Sequence, residues 1–282
     1  MGSRIRVFIL AKDEAANISR CLDSITSTGW PVTVLDSGSS DGTREICAAR
    51  AGVRVAEYKY SDHVSAYNEI TTSLVGIGEY ALILDADMRI SPRLASELEE
   101  AAAASEEAVL LAPVEMWWAG MPLKHGSLYP LKAVLFPGGK AYFQPSGHGE
   151  RLIPGVRRRE LGGRLTHDDR KPYGAYLSAQ ARYGSRLSER ALRGEVSMRD
   201  RIRVLTPLLI VLSPLYSWVV RLGCLSGRLG YVYALDRLIA EAVQHRQAVA
   251  VKLGGGRLTG PGSELGGGDA MGGQQTRPGQ CA

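Results

Sequence analysis

The chain is poor in cysteine, and what it has is dispersed. Cys21, Cys47, Cys224 and Cys281 show no C-x-x-C spacing, which gives no basis for a disulfide framework. They read as reduced and mostly structural, as suits the cytoplasm. A long apolar run is missing near the start, where RIRVFIL gives way at once to KDE, too short for a signal peptide. The uncharged stretch 204–220 holds only seventeen residues and contains Pro207 and Pro214, short of the roughly twenty apolar residues a spanning helix needs. Nor are aromatic side chains interleaved with the basic positions as a stacking platform, which argues against nucleic acid as a partner.

What is present is enough for one large α/β domain with an appendage: 282 residues, 45% hydrophobic and 22% charged. The net charge of +5 is unevenly placed. Residues 150–203 hold fourteen Arg and Lys against seven Asp and Glu, more than the whole excess, so the remainder is slightly acidic. A local basic surplus suits phosphates or an anionic membrane surface.

The first hundred residues alternate between two kinds of pattern. RVFIL, PVTVLD, VRVAEY and YALILD read as strands. NISRCLDSI has Ile18, Leu22 and Ile25 at helical spacing. Asp41 is the expected N-cap of a helix in GTREICAARA and Gly52 its stop; Ser91 caps a second, with Pro92 at its first position. A polar helix is expected around 63–75. This alternation predicts an α/β fold with a doubly wound, mainly parallel sheet, whose ligands lie beyond the carboxyl ends of the strands. Asp36, Asp85 and Asp87 fall on that rim.

After residue 112 the texture changes to short apolar runs cut by Gly and Pro, read as hairpins and loops. A basic helix is expected over 173–195 and a second apolar helix over 229–243. The boundaries expected are 1–112 for the ligand-binding half, 113–198 for a second half, 199–253 for an apolar helical segment and 254–282 for a disordered Gly-rich tail.

The acid pair in YALILDADM carries the chemistry. A strand has a side-chain period of two, so Asp85 and Asp87 are expected to point the same way. Two carboxylates that close repel unless a cation joins them, and a hard divalent ion, Mg²⁺ or Mn²⁺, bridging to a diphosphate answers that need. A solvated strand end is the plain alternative.

Taken in order, ILAKDEAANISRCLDSI, VLDSGSSDGT and LILDAD resemble the inverting glycosyltransferase family 2, whose catalytic domain is the GT-A fold. Asp13 and Met88 depart from its usual Asn and Glu. The resemblance implies a nucleotide-sugar donor with Ala11 and Glu14 near base and ribose, Asp36 on uracil or ribose, and Asn68 near the diphosphate. HGSLYPLKAVLF, GHGERL and LTHDDRKPYGAYLSAQARY resemble the branch of the family that builds lipopolysaccharide core. There the resemblance implies Glu150 as the base for the acceptor hydroxyl, with Asp168 and Asp169 in reserve. His167 would be a third metal ligand or a diphosphate donor, and Arg170 and Lys171 would clamp the leaving group.

Trp117 and Trp118 read as one core and one cleft residue. The Arg-flanked stretch 204–220 reads as a broken or interfacial helix on an anionic leaflet, or else as a buried helical hairpin. A peripheral place on the inner face of the cell membrane, with a glycan or lipid-linked acceptor, is therefore expected. Two other functions remain open at this point. LILDADM also matches a haloacid-dehalogenase-like phosphatase nucleophile, although there the motif sits on the first strand; and a non-catalytic membrane-associated binding protein of the same fold would share the pattern.

Overall fold

The computed structural model describes residues 3–118, 120–146, 149–192, 196 and 198–254. The chain runs β1 (Ile5–Ala11), α1 (Ile18–Ile25), β2 (Val32–Asp36), α2 (Thr43–Ala48), β3 (Val53–Glu57), α3 (His63–Glu69), β4 (Tyr80–Asp85), β5 (Met88–Ile90) and α4 (Pro92–Ala103). There follow β6 (Val109–Ala112), β7 (Val114–Trp118), β8 (Met121–Pro122), β9 (Lys132–Pro137), β10 (Phe143–Ser146), β11 (Gly149–Leu152), β12 (Arg158–Glu160) and β13 (Leu165–His167). The helices α5 (Tyr173–Leu192), α6 (Met198–Leu205), α7 (Leu208–Leu215) and α8 (Gly227–Gly254) close the described chain.

Seven strands form one sheet in the order β12-β6-β9-β4-β1-β2-β3. Its β3-β2-β1-β4 half is parallel, as the strand–helix alternation predicts. β1 and β4 are apolar without alternation because both of their faces are covered. Val7, Ile9, Leu82 and Leu84 pack with Ile18, Leu22 and Ile25 of α1 and Leu94 and Leu98 of α4. Phe8, Ala81 and Ile83 face the other way, against Ala66, Tyr67 and Ile70. Each such Leu or Ile taken out of water contributes about 1.5–3 kcal/mol.

Local signals are met with small shifts. Ser91 Oγ accepts the N–H of Leu94 at 3.2 Å, with Pro92 in the first turn. At α2 the cap falls on Gly42, in the left-handed region at φ +91°, one residue later than expected. Asp41 still accepts the Thr43 N–H at 3.1 Å. The polar helix of 63–75 is α3 continued by a π turn over Ile70–Leu74.

Other features are not local. β9 enters the sheet antiparallel to both β4 and β6. A small second sheet, β5-β13-β7-β8, joins the strand just after the acid pair to Leu165–His167. α8 is a single 28-residue helix, longer than the expected 229–243. It packs closely on α5: a Cβ at Gly184 would lie 2.8 Å from Gln244 Cα. Arg203 of α6 makes a buried two-pronged pair with Glu241 of α8, at 2.7 and 3.0 Å. Cys21 and Cys47 are free and buried, and Cys224 is free and exposed. Residues 255–282, read above as a disordered tail, lie outside the described residues.

Candidate donor-binding rim

Parallel register sets the rim. β1 lies between β2 and β4, with Ala11 opposite Asp36 and Leu10 opposite Asp85. The carboxyl ends of three strands therefore meet at one level. Two loops leave it and are stitched together. Asp13, at φ +53°, accepts the Ser40 N–H at 2.8 Å, Thr43 Oγ1 accepts the Glu14 N–H at 2.8 Å, and Asp41 accepts that of Ala15 at 2.9 Å. Asp36 is wholly buried, and its carboxylate accepts the backbone N–H groups of Gly38 and Ser39, both at 3.1 Å. Arg44 Nε stands 3.7 Å away. Asp36 thus shapes the 37–39 loop; Ala11 is buried beside it, its carbonyl accepting Ser37 N–H at 3.0 Å.

The acid pair differs from the simple strand picture. β4 ends at Asp85, and Asp87 belongs to the turn into β5, so the period of two no longer governs it. Each carboxylate has a different basic side chain beside it. Lys132 Nζ of β9 lies 2.5 Å from Asp85 Oδ2, and Tyr67 donates its hydroxyl to Asp85 Oδ1 at 3.4 Å. Burial pushes the Asp85 carboxyl up, but the Lys132 ammonium overrides it and holds the group below the usual range. His167 Nε2 lies 3.3 Å from Asp87 Oδ2. Burial raises Asp87; the pull of His167 does not cancel that rise, and the Asp85 charge adds to it. Asp87 Oδ1 is buried with no hydrogen-bond partner, and so is His167 Nδ1.

That orphaned oxygen is the observation on which a cation can be tested. Among the described residues no three His, Cys, Asp or Glu side chains converge as a ready cage. A magnesium-type ion needs less: it is usually held by one or two carboxylates with substrate phosphates and water filling the shell. Asp87 fits as the principal ligand, with its neighbour His167 next to it. Asp85, neutralised by Lys132, stands behind it.

The 167–171 segment folds over the first loop through Asn17, which donates to Asp169 Oδ1 at 2.8 Å and accepts the Arg170 N–H at 2.8 Å. Lys171 Nζ lies 2.5 Å from Glu14 Oε1, and Asn17 donates to Glu14 Oε2 at 2.8 Å. Burial raises the Glu14 carboxyl. Burial alone would lower the Lys171 ammonium, and the Glu14 pair lifts it instead. Glu14, Lys171 and the acid pair are thereby brought to one place.

Three expectations need correcting. Asp168 is not available as a base: it is 2% exposed and is surrounded by Arg170 at 2.7 Å, Arg89 at 3.5 Å and Arg20 at 3.9 Å. It is the anchor of this segment. Arg170, spent on Asp168, is not turned toward a leaving group. Asn68 is a clasp: its Oδ1 accepts the N–H groups of Tyr142 and Phe143 at 3.0 Å, and its Nδ2 donates to Phe143 O at 3.0 Å. That commits three of the amide's four hydrogen-bonding positions to the 142–143 backbone. Glu150 is on β11, opposite Pro145, and its side chain lies outside the described residues. Trp117 lies under the Arg89 guanidinium, 5.0 Å from it, while Trp118 packs with Tyr176 and Tyr233 and donates to Asp236 at 2.5 Å.

Lys132, Tyr67, Asn17 and Arg20 escaped the sequence reading. Lys132 stands in an apolar strand, LKAVLFP, and a lone cation at the start of such a run was the available signal.

Residues 6–117 match the model of the family described as "Glycosyl transferase family 2". Two curated proteins, both called uncharacterized glycosyltransferase, are similar over this region. The one from Rickettsia felis is 33% identical over 96 residues, and the one from Rickettsia bellii 31% over 99. The matches cover 34% and 35% of this chain, and the chain spans about a third (33%) of the length of each relative. Among solved structures, TarS of S. aureus in complex with UDP-GlcNAc is 16% identical with a TM-score of 0.40, covering 89% of this chain and 92% of that one. Glucosyl-3-phosphoglycerate synthase from Mycobacterium tuberculosis, in complex with Mn²⁺, UDP and phosphoglyceric acid, is 18% identical with a TM-score of 0.41, covering 70% and 80%. From β1 to β7, over residues 6–117, this chain is similar to the glycosyl transferase family 2 model.

Proposed function

We propose that the chain is an inverting, divalent-cation-dependent glycosyltransferase. It moves a sugar from a nucleoside diphosphate donor, UDP favoured, to a hydroxyl of a glycan or lipid-linked acceptor in the synthesis of cell-envelope polysaccharide or lipopolysaccharide, at the inner face of the cell membrane. The observation that carries this reading is the buried, unpartnered Asp87 Oδ1 at the end of the strands of a region similar to the family 2 model.

The residues divide the work. Asp36 orders the 37–39 loop so that its backbone, with Glu14, meets the nucleoside. Lys132 fixes Asp85 and offsets part of the charge that Asp85 presents to Asp87. His167 holds Asp87 through Oδ2 and leaves Oδ1 without a protein partner. Asp87, with His167 beside it, would hold Mg²⁺ or Mn²⁺, which would supply positive charge for the leaving diphosphate. Lys171, held by Glu14, adds a point charge at the same rim. Glu150 takes the proton of the acceptor hydroxyl; that oxygen bonds to the anomeric carbon from the opposite face, and the bond to the diphosphate breaks with its electron pair leaving on the diphosphate. A phosphatase reading is not favoured, because Asp85 ends the fourth strand and is salt-bridged to Lys132.

The test is thermal shift with a panel of nucleotide sugars, with and without Mn²⁺, followed by donor hydrolysis with the best binder. A ligand that binds the folded state raises its stability by mass action. Stabilisation by a UDP-sugar that grows with Mn²⁺ supports the reading. Indifference to every nucleotide sugar sinks it.

A further inference from the structure

The α7–α8 bend is built inside out. Leu208, Val211, Leu212, Leu215, Val219 and Val220 recur at spacings of three and four, which makes one helical stripe. They are 43–62% exposed. The buried residues of the same run are Ser213 and Ser217. A helix on a water-facing surface has the reverse arrangement, with large apolar residues inward.

The inward face is seated by small residues. Ser217 Oγ donates to Gly126 O at 2.7 Å, and the Gly126 N–H donates to Arg221 O at 2.8 Å. A Cβ on Gly126 would meet Gly223 Cα at 2.8 Å, and one on Gly223 would meet Ser217 O at 2.8 Å. The bend is thus fixed to the 125–127 loop by backbone contact, and its large side chains are left outside by construction. Leu222 and Leu225 extend the exposed surface around the turn, at 48% and 65%.

Charge decides what covers this surface. From Arg201 to Leu235 the sequence has no Asp or Glu, while Arg201, Arg221 and Arg228 are exposed. A second copy of the chain would bring arginine against arginine; an anionic phospholipid interface complements both the stripe and its arginines. Length excludes a single straight span, and only the bent pair of 208–220 with 223–251 passes by length and composition among the described residues. Among the described residues no single helix is long and apolar enough to cross a membrane, and 208–220 meets 223–251 at a 71° bend. Thirteen helical residues, from 208 to 220, reach about 20 Å, against about 30 Å of hydrocarbon.

We infer that the 208–225 bend is a monotopic docking surface that lies in the headgroup layer of an anionic bilayer, with the Leu208–Val220 stripe inserted. This deepens the membrane part of the proposed function, and its test does not pass through sugar transfer.

The test is flotation of the full chain with vesicles of phosphatidylglycerol and phosphatidylcholine, against vesicles of phosphatidylcholine alone. The wild type should float with the anionic vesicles and be released by high salt. Each of Arg221→Gln and Arg228→Gln should weaken binding about fivefold, the value of roughly 1 kcal/mol per arginine at such a surface. The triple variant Val211→Glu, Leu215→Glu, Val219→Glu should lose flotation, with its melting temperature and nucleotide-sugar shift kept. Trp218, which lies beside Tyr231 with ring centroids 6.2 Å apart, should be quenched by brominated lipid in the wild type alone. Flotation of the triple variant like wild type overturns the inference. So does a wild type that ignores anionic vesicles, or one whose stripe is covered by self-association in sedimentation without lipid. Loss of nucleotide-sugar binding with flotation intact would remove the catalytic reading and leave the docking surface standing.

Discussion

Lys132 Nζ and Asp85 Oδ2 are 2.5 Å apart, and Lys132 is 11% exposed. β9 brings this lysine to the acid pair by running antiparallel to β4, so one aspartate has a permanent counter-ion and the other does not. Breaking a buried pair from one side leaves an uncompensated charge. Lys132→Met should therefore cost about 3 kcal/mol of stability, and adding Asp85→Asn should restore most of it. Urea unfolding of the two variants measures both. A single variant as stable as wild type removes the pair from the account.

Asp87 is the acid with an unpartnered oxygen. Asp87→Ala and Asp85→Ala should each lower transfer by about 100-fold or more, the worth of several kcal/mol of charge stabilisation, with circular dichroism unchanged. Wild-type turnover by either variant in EDTA would falsify the cation model.

The Asp87 carboxyl is held above its usual value chiefly by burial. A folded-state value above the unfolded one means that the folded protein favours the protonated form, so charging Asp87 is a penalty. The penalty is absent below the unfolded value of about 3.8 and is complete above the raised one. Without metal, Asp87→Asn should accordingly melt higher than wild type at pH 7, with the gain shrinking as pH falls toward 4. The same sign makes Mn²⁺ stabilise less at low pH, since proton and metal compete for one carboxylate. A melting difference that grows on acidification contradicts this.

Asp168 and Glu150 should separate in kinetics. Asp168→Asn removes the countercharge of Arg20, Arg89 and Arg170 and should cost about 3 kcal/mol of stability, while raising KM for the donor more than it lowers kcat. Glu150→Gln should leave the melting temperature alone and lower kcat by 100-fold or more, the range for a general base. A stable Asp168→Asn protein with a collapsed kcat would return Asp168 to the chemistry.

Where pattern is local, the chain could be read directly. The strands β1, β2 and β4, the helix phase of Ile18, Leu22 and Ile25, and the Ser91 cap depend on neighbours within a turn or two. The rim position of Asp36 and Asp85 followed from parallel order alone. The roles given to Asp168 and Asn68 are displaced by partners distant in sequence, Arg20 at 148 residues and Phe143 at 75, which no spacing rule finds; Arg170 follows Asp168, its neighbour two residues back.

Composition and periodicity by themselves determined that this chain would wind a mainly parallel sheet and set acids at its carboxyl edge, because burial and strand–helix alternation are properties of short segments. Only tertiary structure decided which acid is neutralised and which keeps an unpartnered oxygen, and that the Leu208–Val220 stripe turns outward while its serines turn in. Those outcomes depend on where an antiparallel strand and a glycine contact bring distant residues. Electrostatic and packing energies are set by such distances, which the order of residues along the chain does not carry.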